Sequence, residues 1–231
     1  SIDSVQFDSA RAIVWIYPGV KYKWRINLDS IPREVMSSLS LRGRRFSGSN
    51  MQYEKINELE NNILNYYENS GFPFARVYAE SSVVGDSIYS VLKVDPRVLY
   101  HIDSIRIIGK AKLKASFLQH YLNIFNGDVY NRGKLSKISR LIDNLPYVEQ
   151  IQPWDLMMLG TGATINLYLA PRRSSEVNAL VGFLPANSVK GKTKVTADVR
   201  LNLKNALSGG ETILLNWQQI EAQSPRLDLG F

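Results

Sequence analysis

The sequence contains no cysteine and only two histidines among its 231 residues. The absence of cysteine excludes disulfide bonds, thiolate metal sites and cysteine nucleophiles. His101 and His120 stand apart without metal-ligand spacing, so we expect them at the surface or in helix packing. The GTGAT segment at 160–164 lacks the strand–loop–helix setting of a phosphate-binding loop, and it is predicted to be a hairpin turn. We therefore predict no metal, no cofactor and no enzymatic activity.

Long apolar runs are also absent from the chain. None approaches the roughly 20 residues that a membrane-spanning helix needs. Transmembrane strands alternate between apolar and polar residues, so this absence does not bear on them. The chain opens without a basic segment followed by an apolar core, and we expect any signal peptide to have been removed or cut off.

The net charge of +7 is unevenly distributed. Residues 100–173 carry ten Lys and Arg against five Asp and Glu, whereas the rest of the chain is nearly balanced. The densest basic cluster, RGRR at 42–45, has no aromatic residue between its charges to stack on bases, so we expect a solvated loop there. A basic nucleic-acid-binding α+β protein is an alternative that salt-sensitive binding to DNA or RNA would support.

Comparison of the chain with itself reveals a repeat. PGVKYKW at 18–24 and PRVLYHI at 96–102 share Pro, Val and Tyr at equal offsets, 78 positions apart. Each segment predicts a strand that is entered from proline and whose alternate residues point to one side. These residues are Val20, Tyr22 and Trp24 in the first copy, and Val98, Tyr100 and Ile102 in the second.

Each of these strands precedes two predicted helices and a hairpin. A short helix near 31–40 or 114–123 leads to a longer amphipathic helix with one apolar stripe. The stripe residues are Ile56, Leu59, Ile63 and Tyr66 or Tyr67 in the first copy, and Leu135, Ile138, Leu141, Ile142 and Leu145 in the second. Gly71 is the residue type that ends a helix, and Pro73 and Pro146 mark turns before two further strands.

The predicted unit is β-α-α-β-β, an α+β fold with two helices on one face of a three-stranded mixed sheet. We predict one repeat over 18–95 and a second over 96–172. Residues 1–17 have the pattern of the last hairpin of a further, upstream repeat, which would make the chain part of a longer protein. The alternative is a hairpin added to the sheet of the first repeat.

Residues 173–231 follow a different pattern, that of long amphipathic strands. Apolar and polar residues alternate without interruption along 193–205, and the alternation continues after a turn at NALSGGE. The predicted apolar face consists of Val195, Ala197, Val199, Leu201, Leu203, Ile213, Leu215 and Trp217, preceded by Val177, Ala179, Val181 and Phe183. Such strands suit a lipid-facing β-barrel or an ordinary antiparallel sheet packed on a core, and periodicity does not separate the two. Three or four strands do not close a barrel, so a barrel would need strands beyond Phe231.

Several of these segments resemble motifs of one family. GFPFA at 71–75 is similar to the Gly-Tyr-Pro-Phe-Ala signature of polypeptide-transport-associated (POTRA) domains. IDSIRIIGK, followed by LNIFNGDVYNRGKLSKISRLIDNLPYVEQI, resembles their strand–glycine opening, Gly-Asp-x-Tyr step, helix and Leu-x-Tyr-Val end. NALSGGETILLNW looks like the Asn-Leu-x-Gly-x-Gly-Glu turn between early barrel strands of the same proteins, except that Ser208 replaces the first glycine. The chain thus resembles outer-membrane assembly and translocation proteins of the BamA/TamA type over nearly its whole length.

The resemblance implies a non-enzymatic outer-membrane machine with its repeats in the periplasm and the start of an incomplete β-barrel at 173–231. Its partners would be unfolded outer-membrane or secreted proteins and periplasmic or lipoprotein subunits. In this family the second strand of each repeat is an exposed sheet edge, to which an extended client can add by β-augmentation. The implied client-binding residues are Phe74, Ala75, Arg76, Val77, Tyr78, Val148, Glu149, Gln150 and Ile151. The alternative for each is a structural strand residue, and we expect Phe74 and Val148 in the core.

The resemblance also implies a barrel seam. The strand that carries Val177, Ala179, Val181 and Phe183 would form one side of the seam where the family's barrel can open. The apolar residues of the following strands would face lipid. The alternative is a soluble periplasmic scaffold that binds partner proteins through tandem repeats and has no barrel. Membrane partition of the intact gene product would separate these two hypotheses.

Overall fold

The computed structural model describes residues 2–8, 11–16, 19, 21–41, 53–184, 194–219 and 224–231. The chain divides into two compact units, Ser1–Val98 and Leu99–Phe231. No helix within the described ranges is both long and apolar enough to cross a membrane. Pro18, Val20 and the RGRR segment at 42–45, which entered the predictions above, lie outside the described residues.

The first unit begins with a separate hairpin. Strands β1 (Ile2–Asp8) and β2 (Arg11–Ile16) pair antiparallel and form a two-stranded sheet of their own. Every residue of both strands is exposed, including the aromatic side chains of Phe7 and Trp15. The hairpin is not hydrogen-bonded to the three-stranded sheet that follows.

The first repeat has the predicted order of elements. They are β3 (Lys23–Asn27), α1 (Arg33–Ser38), α2 (Tyr53–Asn69), β4 (Arg76–Val84) and β5 (Ser87–Asp95). The spatial order of the strands is β3-β5-β4, with β3 parallel and β4 antiparallel to β5. The central strand is therefore the last in sequence, and the two outer strands flank it.

The core of the first repeat lies between α2 and the sheet. The buried α2 residues are Ile56, Leu59, Ile63 and Tyr67, so the predicted stripe is confirmed with Tyr67 rather than Tyr66 in its last position. Trp24 is the largest buried side chain of the sheet, and its Nε1 donates a hydrogen bond to Ser90 Oγ at 3.2 Å. Burial of each large apolar side chain stabilises the fold by about 1.5–3 kcal/mol.

Helix α2 ends where the sequence predicts. Gly71 has a φ of +101°, a left-handed conformation that glycine adopts without steric cost. The N–H of Phe72 donates to the carbonyl oxygen of Tyr67 at 3.0 Å, and the two rings pack edge to face at 5.8 Å between centroids. This hydrogen bond and the ring contact are those of a Schellman C-cap.

The second repeat has the same topology. Its elements are β6 (His101–Ile108), α3 (Ala115–Leu122), α4 (Arg132–Leu135), α5 (Ile138–Asp143), β7 (Val148–Leu159) and β8 (Gly162–Pro171). The strand order is β6-β8-β7, with β6 parallel and β7 antiparallel to β8. The GTGAT segment lies at the β7–β8 turn, as predicted.

The long second helix predicted for this repeat is divided into α4 and α5. The N–H of Lys137 bonds to the carbonyl oxygen of Lys134, three residues back at 3.2 Å, so the turn there is tighter than in an α-helix. The apolar stripe is nevertheless preserved, since Leu135, Ile138, Ile142 and Leu145 are buried and Leu141 is half-buried.

The first strand of each repeat begins later than predicted, at Lys23 and at His101. In the second repeat Val98 precedes the strand and is exposed, whereas Ile102 is buried. His101 pairs with Gly162, the first residue of the central strand β8 after its hairpin turn. Because β8 begins at Gly162, the parallel strand β6 has no residue of β8 to pair with before His101. Strand β3 likewise begins at Lys23, which pairs with Ser87, the first residue of β5.

The residues after the second repeat form a four-stranded antiparallel sheet. Its strands are β9 (Glu176–Leu184), β10 (Lys194–Lys204), β11 (Thr212–Gln219) and β12 (Pro225–Gly230). Their spatial order, β12-β11-β10-β9, follows the order in sequence. The predicted fold class, tandem β-α-α-β-β repeats followed by antiparallel strands, is confirmed.

Candidate binding edges and the C-terminal sheet

The outer strand β4 forms a free edge of the first repeat. Within the described part of the chain it pairs with β5 alone, and its register is unbroken over all nine residues. Arg76 and Tyr78 are exposed, whereas Val77 and Ala79 pack against the core. A regular edge of this kind presents backbone N–H and C=O groups at even spacing, which is the template for an added strand.

Three of the five predicted edge residues of this repeat lie in β4: Arg76, Val77 and Tyr78. Phe74 and Ala75 precede the first strand residue, so their placement in the strand is wrong. The expectation that Phe74 fills the core is also wrong, since this side chain is 50% exposed. Phe72 packs against Tyr67 instead, because the C-cap of α2 directs it inward.

A surface groove runs beside the start of β4. It is lined by Leu64, Ala75, Arg76, Val77, Tyr78 and Asp95. Four of the five predicted edge residues therefore line this groove, hereafter the β4 groove, although only three belong to the strand. Its lining combines aliphatic side chains with one positive and one negative charge, so it can accept side chains of mixed character.

The outer face of the sheet, opposite the helices, is polar and aromatic. Glu80 of β4 and Lys93 of β5 form an ion pair at 2.6 Å, and this hydrogen bond raises the pKa of Lys93. Arg25 lies over the Tyr89 ring at 5.5 Å from its centroid. Tyr78 and Tyr89 point to this same face and are 44% and 42% exposed. The two tyrosines differ in that Tyr89 belongs to the central strand.

The corresponding edge of the second repeat is β7, which contains all four predicted residues: Val148, Glu149, Gln150 and Ile151. Val148 is buried, as expected, whereas Ile151 is exposed. The register against β8 shifts twice between Gln150 and Asp155, and Pro153 in this interval has no N–H. Register shifts and prolines discourage the addition of a strand. The β4 edge is therefore the more regular template.

The C-terminal sheet has its first free edge at β9. Within the described ranges this strand pairs with β10 alone. Its four predicted seam residues are all exposed and alternate along the strand: Val177, Ala179, Val181 and Phe183. The strand is thus an edge with apolar residues at alternate positions, and its place in a seam stays a prediction.

One face of this sheet is apolar except at Gln219, which lies opposite Ala197. The register places Val199 of β10 opposite Ala179 of β9 and Trp217 of β11, so the residues predicted to face lipid share one face with those of β9. Leu227 and Leu229 of β12 extend the same face through their pairing with β11. The sequence analysis missed these two leucines, although the alternation in RLDLGF was the signal that could have identified them.

The opposite face of the sheet is mainly polar. Arg200 Nη2 donates to Asp198 Oδ2 at 2.8 Å, and Gln218 Nε2 donates to the same oxygen at 3.2 Å. The polar residues around a concavity on this face are Glu176, Asn178, Arg200, Asn202, Asn216 and Asp228. Leu180 and Leu214 are exceptions. A sheet with one apolar and one polar face suits either a barrel wall between lipid and water or a sheet packed on a core.

The turn between β10 and β11 contacts the second repeat. Asn205 Nδ2 donates to the carbonyl oxygen of Lys112 at 3.0 Å, and the N–H of Lys114 donates to that of Ser208 at 2.8 Å. Ser208 has a φ of +63°, in the left-handed region that glycine favours. Although Ser208 replaces the glycine of the family pattern, its backbone keeps the left-handed conformation that glycine favours. Sequence reasoning did not predict these contacts.

Glu211 holds the same turn together. Its carboxylate accepts hydrogen bonds from the N–H groups of Leu207 and Gly209. These bonds, the one from Leu207 foremost, lower the pKa of Glu211. Burial, with smaller contributions from Tyr121 and Glu211, raises the pKa of Tyr147 to about 12. The turn is thus fixed within itself and against the loop that precedes α3.

No three acidic or histidine side chains in the described part of the chain are grouped so as to hold a metal ion. His120 Nδ1 lies 2.7 Å from the carbonyl oxygen of Ser116, and its ring packs edge to face against Phe125. This histidine thus has the helix-packing environment that the sequence predicted.

The POTRA family model, surface antigen variable number repeat, matches residues 100–167. This range covers the second repeat except for its last few residues. Residues 100–167 therefore match a POTRA domain. No curated protein matches the chain in sequence.

Several solved structures are similar to this chain. BamA from Haemophilus ducreyi lacking POTRA domains 1–3 has a TM-score of 0.54 and 14% identity, over 92% of this chain and 39% of that one. Haemophilus influenzae BamA POTRA3–5 has a TM-score of 0.43 and 15% identity, over 65% and 66% of the two chains. CdiB from Acinetobacter baumannii has a TM-score of 0.43 and 14% identity, over 89% and 39%.

The similarity to Haemophilus ducreyi BamA concerns the fold, and it covers the repeats together with the C-terminal strands. The chain thus resembles that BamA chain in its fold, as its motifs predicted. It spans 39% of the length of that BamA chain.

Proposed function

We propose that this chain is the periplasmic POTRA portion, with the first barrel strands, of an outer-membrane β-barrel insertase or translocase. Its repeats bind unfolded outer-membrane or secreted proteins, or accessory subunits, by β-augmentation and aid their assembly in the membrane. The observation that carries the proposal is the unbroken free edge of β4, with its groove, in a chain that also has an amphipathic strand sheet. The protein acts without catalysis in this proposal.

The β4 edge supports binding of clients that share no sequence. An added strand forms hydrogen bonds through its main chain, and these are the same for every client. Its alternate side chains extend into the β4 groove or over the outer face beside Tyr78. The outer face offers charges of both signs and two exposed tyrosines, which suits clients of varied composition.

The apolar sheet face supports a membrane location. Phe183 and Leu229 are both 70% exposed on this face, and Val177, Val181 and Leu227 are exposed beside them. Burial of such surface stabilises by about 25 cal/mol per Å², so an apolar environment is expected to cover it. A hydrocarbon layer on this side and water on the polar side satisfy both faces. This arrangement favours the barrel over the soluble scaffold, and membrane partition of the intact gene product tests that choice.

Site-specific crosslinking tests the β4 edge directly, because the chain has no native cysteine. One variant carries Tyr78→Cys and a matched control carries Tyr89→Cys, at positions with nearly equal exposure on the same face. An extended client peptide with one cysteine is added under mild oxidation. We expect disulfide formation at position 78 and little at position 89, because only β4 has an unpaired side.

A second peptide with N-methyl groups on alternate amides is the client-side control. Methylation removes the donors that β-augmentation needs, so crosslinking at position 78 should fall to the level at position 89. Equal crosslinking at both positions would mean that clients bind the face of the sheet and not its edge. That result would overturn the proposed mode of binding.

A further inference from the structure

A basic pocket lies where the second repeat meets the C-terminal sheet. Its cationic residues are Lys110, Lys112, Arg172, Arg173 and Lys204. They come from the loop before α3, the segment between β8 and β9, and the end of β10. No Asp or Glu lines the pocket.

The walls of the basic pocket are held by hydrogen bonds. The N–H of Arg172 donates to the carbonyl oxygen of Tyr147 at 2.9 Å, and the N–H of Lys204 donates to Ser175 Oγ at 3.1 Å. The bond from Asn205 to Lys112 closes the third side. The backbone positions of Lys112, Arg172 and Lys204 are therefore set before any ligand binds, which lowers the entropic cost of binding.

The five positive charges have no acidic partner among the described residues. No ion pair joins any of them to Asp or Glu, unlike Lys134, which pairs with Asp128 in the same unit. Like charges held close together repel, and an anion between them removes this repulsion. Arg guanidinium groups also bind phosphate oxygens through paired N–H donors. The chemistry of the pocket therefore fits a phosphate ester.

The position of the basic pocket indicates where that phosphate is. Lys204 directly follows Leu203, and Ser175 lies two residues before Val177, so the pocket adjoins one end of the apolar sheet face. A lipid whose acyl chains contact this face has its headgroup at one of the two ends of the strands. The basic end matches a headgroup with net negative charge.

We propose that the basic pocket binds the phosphate headgroup of an anionic phospholipid whose acyl chains lie along the apolar sheet face. The contact with the acyl chains rests on the proposed function, whereas the charge of the pocket does not. The lipid would fix the membrane depth of the sheet relative to the second repeat. This proposal concerns a lipid site and not the client-binding edges.

Vesicle flotation tests the proposal with the full chain. Vesicles of phosphatidylcholine alone are compared with vesicles that also contain phosphatidylglycerol, and a third sample contains inorganic phosphate with the phosphatidylglycerol vesicles. The pocket variant is Arg172→Gln with Arg173→Gln, and the control is Lys137→Gln with Arg140→Gln, which removes the same charge from an exposed part of the same unit. Each basic residue near an anionic surface contributes about fivefold to binding, so the pocket variant should lose about thirty-fold.

The expected result is stronger binding to the anionic vesicles, lost in the pocket variant, largely kept in the control and reduced by salt. An equal loss in both variants, or no preference for phosphatidylglycerol, would overturn the proposal. Competition by inorganic phosphate at concentrations similar to those of the lipid would also overturn it, because free phosphate would then be the ligand. Failure to bind neutral vesicles would count against the membrane role of the apolar face, and thus against the proposed function. This holds whether or not the chain prefers vesicles that contain phosphatidylglycerol. A second pocket variant, Lys112→Gln with Lys204→Gln, shows whether a loss depends on one pair of residues.

Discussion

Replacement of Gly210 by alanine tests the contact between the β10–β11 turn and the second repeat. A Cβ atom at this position would lie 2.2 Å from Cε2 of Phe117 on α3, and Gly210 has a φ of +79°. The Phe117 ring stacks on Tyr121 at 5.5 Å between centroids, so it does not move aside without loss of that contact. The left-handed conformation costs about 1–2 kcal/mol for alanine and the overpacking about 1–3 kcal/mol, or about 2–5 kcal/mol together.

Amide hydrogen exchange at Lys114 measures this cost, because its N–H donates to the Ser208 carbonyl oxygen in the same turn. If the turn opens locally, Gly210→Ala should lower the protection of this amide by about thirty-fold or more. Gly209→Ala is the matched control. Its Cβ would be 3.1 Å from the flexible Glu211 carboxylate, and Gly209 is not in the left-handed region. Its effect should stay within about 1 kcal/mol.

A double-mutant cycle separates the two parts of the cost. In a Phe117→Ala background the ring is absent, so Gly210→Ala should cost only the backbone part, about 1–2 kcal/mol. If the cost is the same with and without the ring, the turn does not pack on α3 as the structure has it. Equal protection of Lys114 in the Gly210→Ala and Gly209→Ala variants would refute the reasoning as well.

Three further predictions concern other parts of the chain. The pKa of Glu211 is lowered in the fold, so its contribution to stability is present above its usual pKa of 4.5 and is lost as the pH falls through the lower folded value. Glu211→Gln should therefore reduce the loss of stability in acid, measured as the denaturation midpoint against pH. An unchanged loss of stability in acid would contradict this prediction. Ser90→Ala should destabilise the first unit by about 1–3 kcal/mol in denaturant unfolding, because it leaves the buried Trp24 Nε1–H without its acceptor. A loss below about 0.5 kcal/mol would argue against that hydrogen bond. Val181→Pro should abolish client insertion in cells, because proline disrupts strand β9. Circular dichroism should show that the repeats stay folded, and the Val181→Ala control should stay active. Full activity of the proline variant would exclude the seam.

Much of the repeat architecture could be predicted because its signals are local. The stripe of Ile56, Leu59 and Ile63 and the end of α2 at Gly71 depend on side chains a few positions apart. The alternation along β10 similarly defines its two faces before any partner is known. The edge position of β4 was implied by the family resemblance, and the strand order confirms it, whereas the binding of clients there stays a prediction.

The errors arose where backbone geometry or a distant partner strand decides the outcome. Phe72 and Phe74 are the same residue type two positions apart, so the sequence does not show which of them is buried. The C-cap geometry at the end of α2 brings Phe72 against the core and leaves Phe74 exposed. The start of β6 depends on where β8 leaves its hairpin turn, about sixty residues later. The division between α4 and α5 leaves the apolar stripe intact, so periodicity does not reveal it.

The sequence by itself determined the number of repeats, the order of their elements and the face of each strand and helix that is apolar. These features follow from the periods of 2 and 3.6 residues, which backbone geometry imposes on neighbouring side chains. Only the tertiary structure decided that β4 has a regular free edge while β7 is interrupted, and that lysines and arginines between 110 and 204 converge in one pocket. Sheet pairing and turn contacts join residues far apart in the chain, and no local pattern encodes which of them meet.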